Sequence, residues 1–229
     1  MTTLATILDR VLDETGFSKP SSYFGNTEEA AVRARTLANA SIRDLLDIPH
    51  RRLIKEGTIS MTTATTYALP SDLHSFVQNT FYETGDSQPA HFPTSDQQFA
   101  LINSSGIGDG IWTNVRVAGG EFEIDEPKNG ETLEFTYRSN HPVQETGEGV
   151  TKALYTADND IWLLDDRLHE YDIIWRWKKL HGMDWQEDFA LFKRYKNEYV
   201  ARDGGYRALN MNSHPSSAVG GPTFDLWAD

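Results

Sequence analysis

The chain has no cysteine. That absence excludes a disulfide framework and thiolate metal sites, while leaving the compartment open. Cations are scarce as well: 21 Lys and Arg stand against 34 Asp and Glu, a formal net charge of −13. Neutralising phosphates takes clustered Lys and Arg, so this balance argues against a general nucleic-acid binder. Arg51-Arg52 is the only adjacent basic pair that precedes a strand candidate. An acidic balance suits a surface that nucleic acid passes without sticking, although solubility explains it equally well. No run of about 18 apolar residues exists, so no segment reads as a bilayer span. The opening residues, Met1-Thr-Thr-Leu-Ala-Thr-Ile-Leu-Asp9, lack a basic region and a long apolar stretch, which argues against a signal peptide.

What is present is enough for a sizeable core: 229 residues, 38% hydrophobic, with a mean hydropathy of −0.53. Leu4, Ile7, Leu8, Val11 and Leu12 recur at helical spacing, with Gly16 placed as a C-terminal cap. After a loop containing Pro20, Asn26 and Glu29 stand in capping-box positions for a second helix. Ala30, Ala34, Leu37, Ala38, Ser41 and Leu45 form one face of it, and it ends before Pro49.

A β-rich block follows. Residues 59–69 and 76–82 are strand candidates, and 93–102 suggests a short helix with Thr94 or Ser95 as its cap. The clearest hairpin runs from Val115 to Ile124. Both of its arms alternate, and Gly119-Gly120 supplies the positive φ angles of a tight turn. Pro127-Lys-Asn-Gly130 makes the next turn, and Leu133, Phe135 and Tyr137 alternate beyond it. The pattern predicts an antiparallel meander with one buried face.

Helical periodicity returns after Asp165-Asp166. Leu168, Tyr171, Ile174, Trp175 and Trp177 leave little polar face, and Gly182 closes this helix. Asp184 and Glu187 form another capping-box pattern, and Trp185, Phe189, Phe192, Tyr195 and Tyr199 stripe the last helix. So short a turn makes the two helices antiparallel. Residues 204–229 are rich in Gly, Ser, Asn and Pro and carry no period. Phe224, Leu226 and Trp227 near their end read either as a short segment that docks on a partner or as a tail folding back on its own domain.

Each candidate chemical motif is better explained without chemistry. Asp158-Asn-Asp160 with Asp165-Asp166 places Trp162 and Leu163 where a calcium loop needs an oxygen ligand and Gly. A polar turn and a helix N-cap account for these carboxylates. Gly106-Ile-Gly108-Asp-Gly110 leads into Ile111 and Trp112 rather than a helix, so it is no phosphate cradle. The histidines His50, His74, His91, His141, His169, His181 and His214 show no metal-ligand spacing and read as surface or packing residues. No Gly-x-Ser-x-Gly elbow occurs. Glu121, Glu123, Asp125 and Glu126 could mimic a glycosidase pair, but their alternation with Phe122 and Ile124 marks the solvent face of a hairpin. No catalytic, metal or cofactor-binding set is expected.

Residues 65–72, Thr-Thr-Tyr67-Ala-Leu69-Pro70-Ser-Asp72, form an aromatic strand exit that Pro70 terminates. With two helical patterns before it and hairpins and two aromatic helices after it, the chain resembles the head-to-tail adaptor (connector) proteins of short-tailed, podovirus-like phages. The resemblance implies an α+β fold in which a helical bundle carries an inserted antiparallel β domain. Residues 1–50 and a hairpin over 161–203 would form the bundle, 51–160 the β-rich insertion, and 204–229 a docking tail. It further implies a non-enzymatic virion protein of the tail or neck, assembled in the host cytoplasm. Many copies, commonly twelve, would form a ring under the portal protein, extending the DNA channel and meeting the nozzle or tail fibres. Tyr206, Phe224, Leu226 and Trp227 would dock on the portal. Glu121, Glu123, Asp125, Glu126, Glu131 and Glu134 would line the channel, and passing DNA would not be bound specifically. The free subunit would be monomeric. The long segment 88–110 matches no motif of the family. Two rival classes are a carbohydrate-active hydrolase and a carbohydrate-binding or fibre-associated module.

Overall fold

The structure, a computed structural model, describes residues 2–77, 79–85, 88–90, 96–105, 113–125, 127–147 and 149–203. A two-residue strand, β1 (Thr2–Thr3), turns directly into α1 (Leu4–Thr15), whose first turn is capped by the Thr3 hydroxyl accepting from the Thr6 N–H. Gly16 ends α1 at a φ of 76°, a left-handed conformation that glycine adopts without strain. Leu4, Ile7, Leu8, Val11 and Leu12 are all buried, as their spacing predicts. The start of α2 (Glu29–Leu46) departs from expectation. Asn26 Oδ1 accepts from the Glu28 N–H at 2.9 Å, forming an Asx turn ahead of the helix, and no side chain caps α2 itself.

Eleven short strands, a 3-10 turn (Arg51–Leu53) and one α-helix separate α2 from the final helices among the described residues. β2 (Ile54–Ser60) pairs along its full length with β9 (Thr132–Ser139), from Ile54↔Arg138 to Ser60↔Thr132. β4 (Leu73–Phe76) and β5 (Tyr82–Glu83) line the other side of β9, and β6 (Gln88–Pro89) pairs with β5. A second sheet is built from β3 (Thr66–Ala68), β8 (Glu121–Asp125) and β7 (Asn114–Ala118), with α3 (Asp96–Ser105) preceding β7. The β7–β8 hairpin turns at Gly119-Gly120, both with positive φ, as expected. The third sheet joins β1 to β12 (Ile161–Trp162), then to β10 (Val143–Gln144) and β11 (Thr151–Lys152).

Three strand expectations need correction. Residues 59–69 form two strands in different sheets, because the Thr62 hydroxyl accepts from the Ala64 N–H and turns the chain out of the ladder. Residues 76–82 do not form one strand either: Asn79 takes a φ of 59° between β4 and β5. The third correction concerns the meander. β8 and β9 belong to different sheets that meet face to face, with the rings of Phe122 and Phe135 5.1 Å apart. Ile59, Met61, Phe81, Val115, Ile124, Leu133 and Tyr137 fill the same layer.

The Asp165 carboxylate accepts from the Leu168 N–H at 3.1 Å and so caps α4 (Asp166–Leu180). Beyond Gly182, α5 (Gln186–Asp203) returns along α4 and packs its aromatic stripe on it, with Phe192 and Tyr199 buried. α4 contacts α1, α2 and α5 and carries Trp177, which is fully buried. Phe17 meets the Trp177 ring edge-on at 5.2 Å. These helices and the third sheet share one core, distinct from the layer between the other two sheets.

Candidate assembly surfaces

Asp72, the last residue of the aromatic strand exit, is a structural tie. Pro70 ends the pairing of β3, and its carbonyl accepts from the Leu73 N–H at 3.0 Å to start β4. This places the Asp72 carboxylate where Lys55 Nζ at 2.7 Å, Tyr137 OH at 2.9 Å and Ser139 Oγ at 2.8 Å all donate to it. Burial on its own would raise its pKa, but the bonds from Lys55, Ser139 and Tyr137 outweigh burial and hold it at about 2. The same contact, added to burial, pushes the Tyr137 phenol up to about 12. Asp72 therefore contributes stability above its unfolded pKa of 3.8, and that contribution fades as pH falls toward 2. Asp72→Ala strands three donors, and urea unfolding at neutral pH is expected to show a loss of about 3 kcal/mol.

The other carboxylates singled out by the sequence are also structural. Asp158 accepts from the Tyr23 and Phe24 N–H groups, pinning the loop between α1 and α2. Asp160 is fully buried, accepts from Thr156 and Ala157 N–H, and pairs with Lys152 at 2.8 Å. Asp165 caps α4 and also takes the Tyr195 hydroxyl and Arg202. These groups serve as backbone acceptors and a helix cap, as the sequence reading holds. Among the described residues no group of three His, Cys, Asp or Glu side chains is placed to hold a metal ion, and no helix is long and apolar enough to cross a membrane.

The residues expected to line a channel fall into two groups. Glu121, Glu123 and Asp125 alternate along β8 with buried Phe122 and Ile124, so they lie on the outer face of the three-stranded sheet. There Glu123 Oε2 accepts from Arg116 Nε at 2.5 Å. Glu134 is exposed on β9 between buried Leu133 and Phe135, on the outer face of the other sheet. Since the sheets meet through Phe122 and Phe135, these two faces point away from each other. Glu131 belongs to neither face. It bonds to buried Glu83, which also takes the Thr113 hydroxyl at 2.5 Å and Lys128 at 3.0 Å. Burial would raise the pKa of Glu83, yet these three bonds hold it below the ordinary carboxylate range. Glu126, the Gly106–Gly110 motif, the Thr94 and Ser95 caps, and Tyr206, Phe224, Leu226 and Trp227 lie outside the described residues.

Sequence reasoning missed the buried histidines' partners. His169 sits against Trp162 and Tyr155, with Nδ1 3.3 Å from Tyr155 OH and Nε2 3.4 Å from the Ala38 carbonyl. Nε2 donates to that carbonyl, and in the neutral ring Nδ1 then accepts from the Tyr155 hydroxyl. Burial and the Arg176 charge push its pKa down to about 3. His50 is also buried, bridging the Leu45 carbonyl and Tyr199 OH. Both are packing residues, which the sequence reading allows without naming what they pack against.

The described surfaces thus offer sheet faces and helix faces for contact, and the sequence-predicted carboxylates do not converge on a reacting centre. No curated protein matches this chain. One family model does, the SU10 adaptor protein, over residues 2–218. A match of that extent takes in every described element, from β1 to α5, and the chain belongs to the SU10 adaptor protein family, structural adaptor proteins of phage.

Proposed function

We propose that this chain joins head to tail in a phage virion as a ring-forming subunit seated under the portal protein. The family match over residues 2–218 carries this reading. In it, a dodecameric ring extends the DNA conduit and meets the nozzle or tail-fibre proteins, and the protein has no catalytic turnover. Residues 1–50 and 161–203 form the bundle, 51–160 the inserted β domain, and 204–229 the segment that docks on the portal through Tyr206, Phe224, Leu226 and Trp227. The mass of the assembly with and without portal rings tests the reading. Deleting residues 204–229 should shift the thermal transition by no more than about 4 °C while abolishing attachment. A truncated chain that binds portal rings with full affinity would refute the docking role.

The ring also turns an acidic surface toward the DNA in this proposal. Like charge on the wall keeps phosphates from being held during ejection. Because Glu121, Glu123 and Asp125 face away from Glu134, one subunit presents only one of these groups to the axis. A net charge of −13 per subunit opposes ring closure without a template, so the free protein stays monomeric at low salt. Screening shortens to roughly 10 Å at 0.1 M salt, so added salt should ease assembly. Rings that form at low salt without portal, seen by light scattering, would contradict this.

A further inference from the structure

Near the start of α5 the helical face is apolar and cationic, and none of the described residues covers it. A cleft of about 430 Å³ opens between α2 and α4, lined by Leu37, Trp175, Arg176, Lys179 and Leu180. Leu180 is 48% exposed and Met183 37% exposed. Trp175 packs at a tilt against Phe189, with centroids 4.9 Å apart, and approaches Trp185 at 6.0 Å, so the cleft continues into an aromatic floor. Cations roof that floor. Lys179 Nζ lies 5.1 Å from the Trp185 ring and 5.7 Å from that of Trp175, and Lys193 Nζ lies 4.4 Å from Phe189. Among the described residues neither ammonium has a carboxylate partner, in a chain whose net charge is −13. Arg176, in contrast, is taken up by Asp172 and Asp44. The face therefore fits a short segment with large apolar side chains and interleaved carboxylates.

We propose that residues 224–229 of the same chain, Phe-Asp-Leu-Trp-Ala-Asp, seat on this face while the subunit is unassembled. Phe224, Leu226 and Trp227 supply the apolar groups, and Asp225 and Asp229 supply the charges opposite Lys179 and Lys193. The geometry allows it. α5 runs from the cleft to Asp203, and the fourteen residue steps from Phe189 to Asp203 span about 21 Å of helix. The twenty residues between Asp203 and Phe224, for a Gly/Ser-type spacer, have a root-mean-square reach of about 25 Å. Span and reach match, which is where intramolecular docking is strongest. The proposal rests on the adaptor reading for its purpose: the segment that docks on the portal is sheltered on its own subunit until a portal ring competes for it.

The test uses the full chain and a fluorescein-labelled peptide of residues 221–229, read by anisotropy. A full-chain variant carrying Phe224→Ala, Leu226→Ala and Trp227→Ala leaves the face open and should bind the peptide. The natural chain should bind it about tenfold more weakly, since a local concentration in the millimolar range fills a site of about 100 μM affinity. Adding Lys179→Glu and Lys193→Glu to the open variant should abolish binding, and a peptide with Asp225→Lys and Asp229→Lys should restore it. Lys179 and Lys193 are exposed, so these changes leave the core intact. Failure of the open variant to bind the peptide, or equal binding by the natural chain, would overturn the proposal. Portal attachment is scored separately. The Lys179→Glu, Lys193→Glu chain should still attach to portal rings and the triple-alanine chain should not, so the two ideas can fail independently.

Discussion

Lowering the pH from 7 to 4 is expected to remove about 3 kcal/mol of folding stability through His169 alone. The ring is fully buried, which disfavours its charged form, and the neutral ring donates from Nε2 to the Ala38 carbonyl and accepts at Nδ1 from Tyr155. Its pKa is about 3 in the folded chain and 6.5 when exposed. Between those values the unfolded chain binds a proton that the folded chain refuses. Stability therefore falls as pH drops from 6.5 toward 3, a window above the one in which Asp72 loses its contribution. His169→Gln keeps a donor for the Ala38 carbonyl and an acceptor for Tyr155 but cannot titrate. Urea unfolding across this range should show a much flatter pH dependence for that variant. An unchanged slope would mean that His169 is charged in the folded chain.

The second large effect is expected between the two sheets. The Phe135 ring meets Phe76, Phe81, Phe122 and Tyr137 with centroids 5.1–6.0 Å apart, and Phe135 is buried. Phe135→Ala should cost about 3–5 kcal/mol. Opposite it in register stands Gly57, and a Cβ there would fall 2.5 Å from the ring. Held by its aromatic neighbours, the ring has no room to withdraw, so Gly57→Ala should cost about 1–3 kcal/mol. The two losses should not add. Once the ring is truncated the new methyl fits its space, so the double variant should be no less stable than Phe135→Ala alone. Additive losses in chemical denaturation would show that the glycine serves the strand's backbone and not the ring.

The helices and the hairpin were legible because their signals are local. The period of α1, the left-handed Gly16, the Asp165 cap and the Gly119-Gly120 turn each depend on residues a few positions apart. Sheet membership was not legible, because it depends on pairing at long range. Nothing near Thr62 states that the strands on either side of it enter different sheets. Nor does Asp72 reveal that Tyr137 and Ser139, more than sixty positions away, will bond to it. The acidic alternation along β8 marks an outer face correctly, but it does not show that the outer face of β9 looks the other way. Family membership was legible from the order of elements, since the match spans that same order.

The pairing of β1 with β12 has a consequence for the order of events during synthesis. Thr2 and Thr3 pair with Trp162 and Ile161, and the Leu4 N–H reaches the Asp160 carbonyl. α1 packs chiefly on α4 and only lightly on α2, so its five buried apolar residues lack their main partner until residues 160–177 have left the ribosome. At about 5–20 residues per second that interval is roughly 10–30 s. The strands of the first two sheets, all between Ile54 and Ser139, find their partners among themselves and can close during the wait. α1 is therefore made before the other described helices yet is among the last to be buried. Throughout that interval a nascent adaptor trails an apolar amphipathic segment open to chaperones and to neighbouring nascent chains.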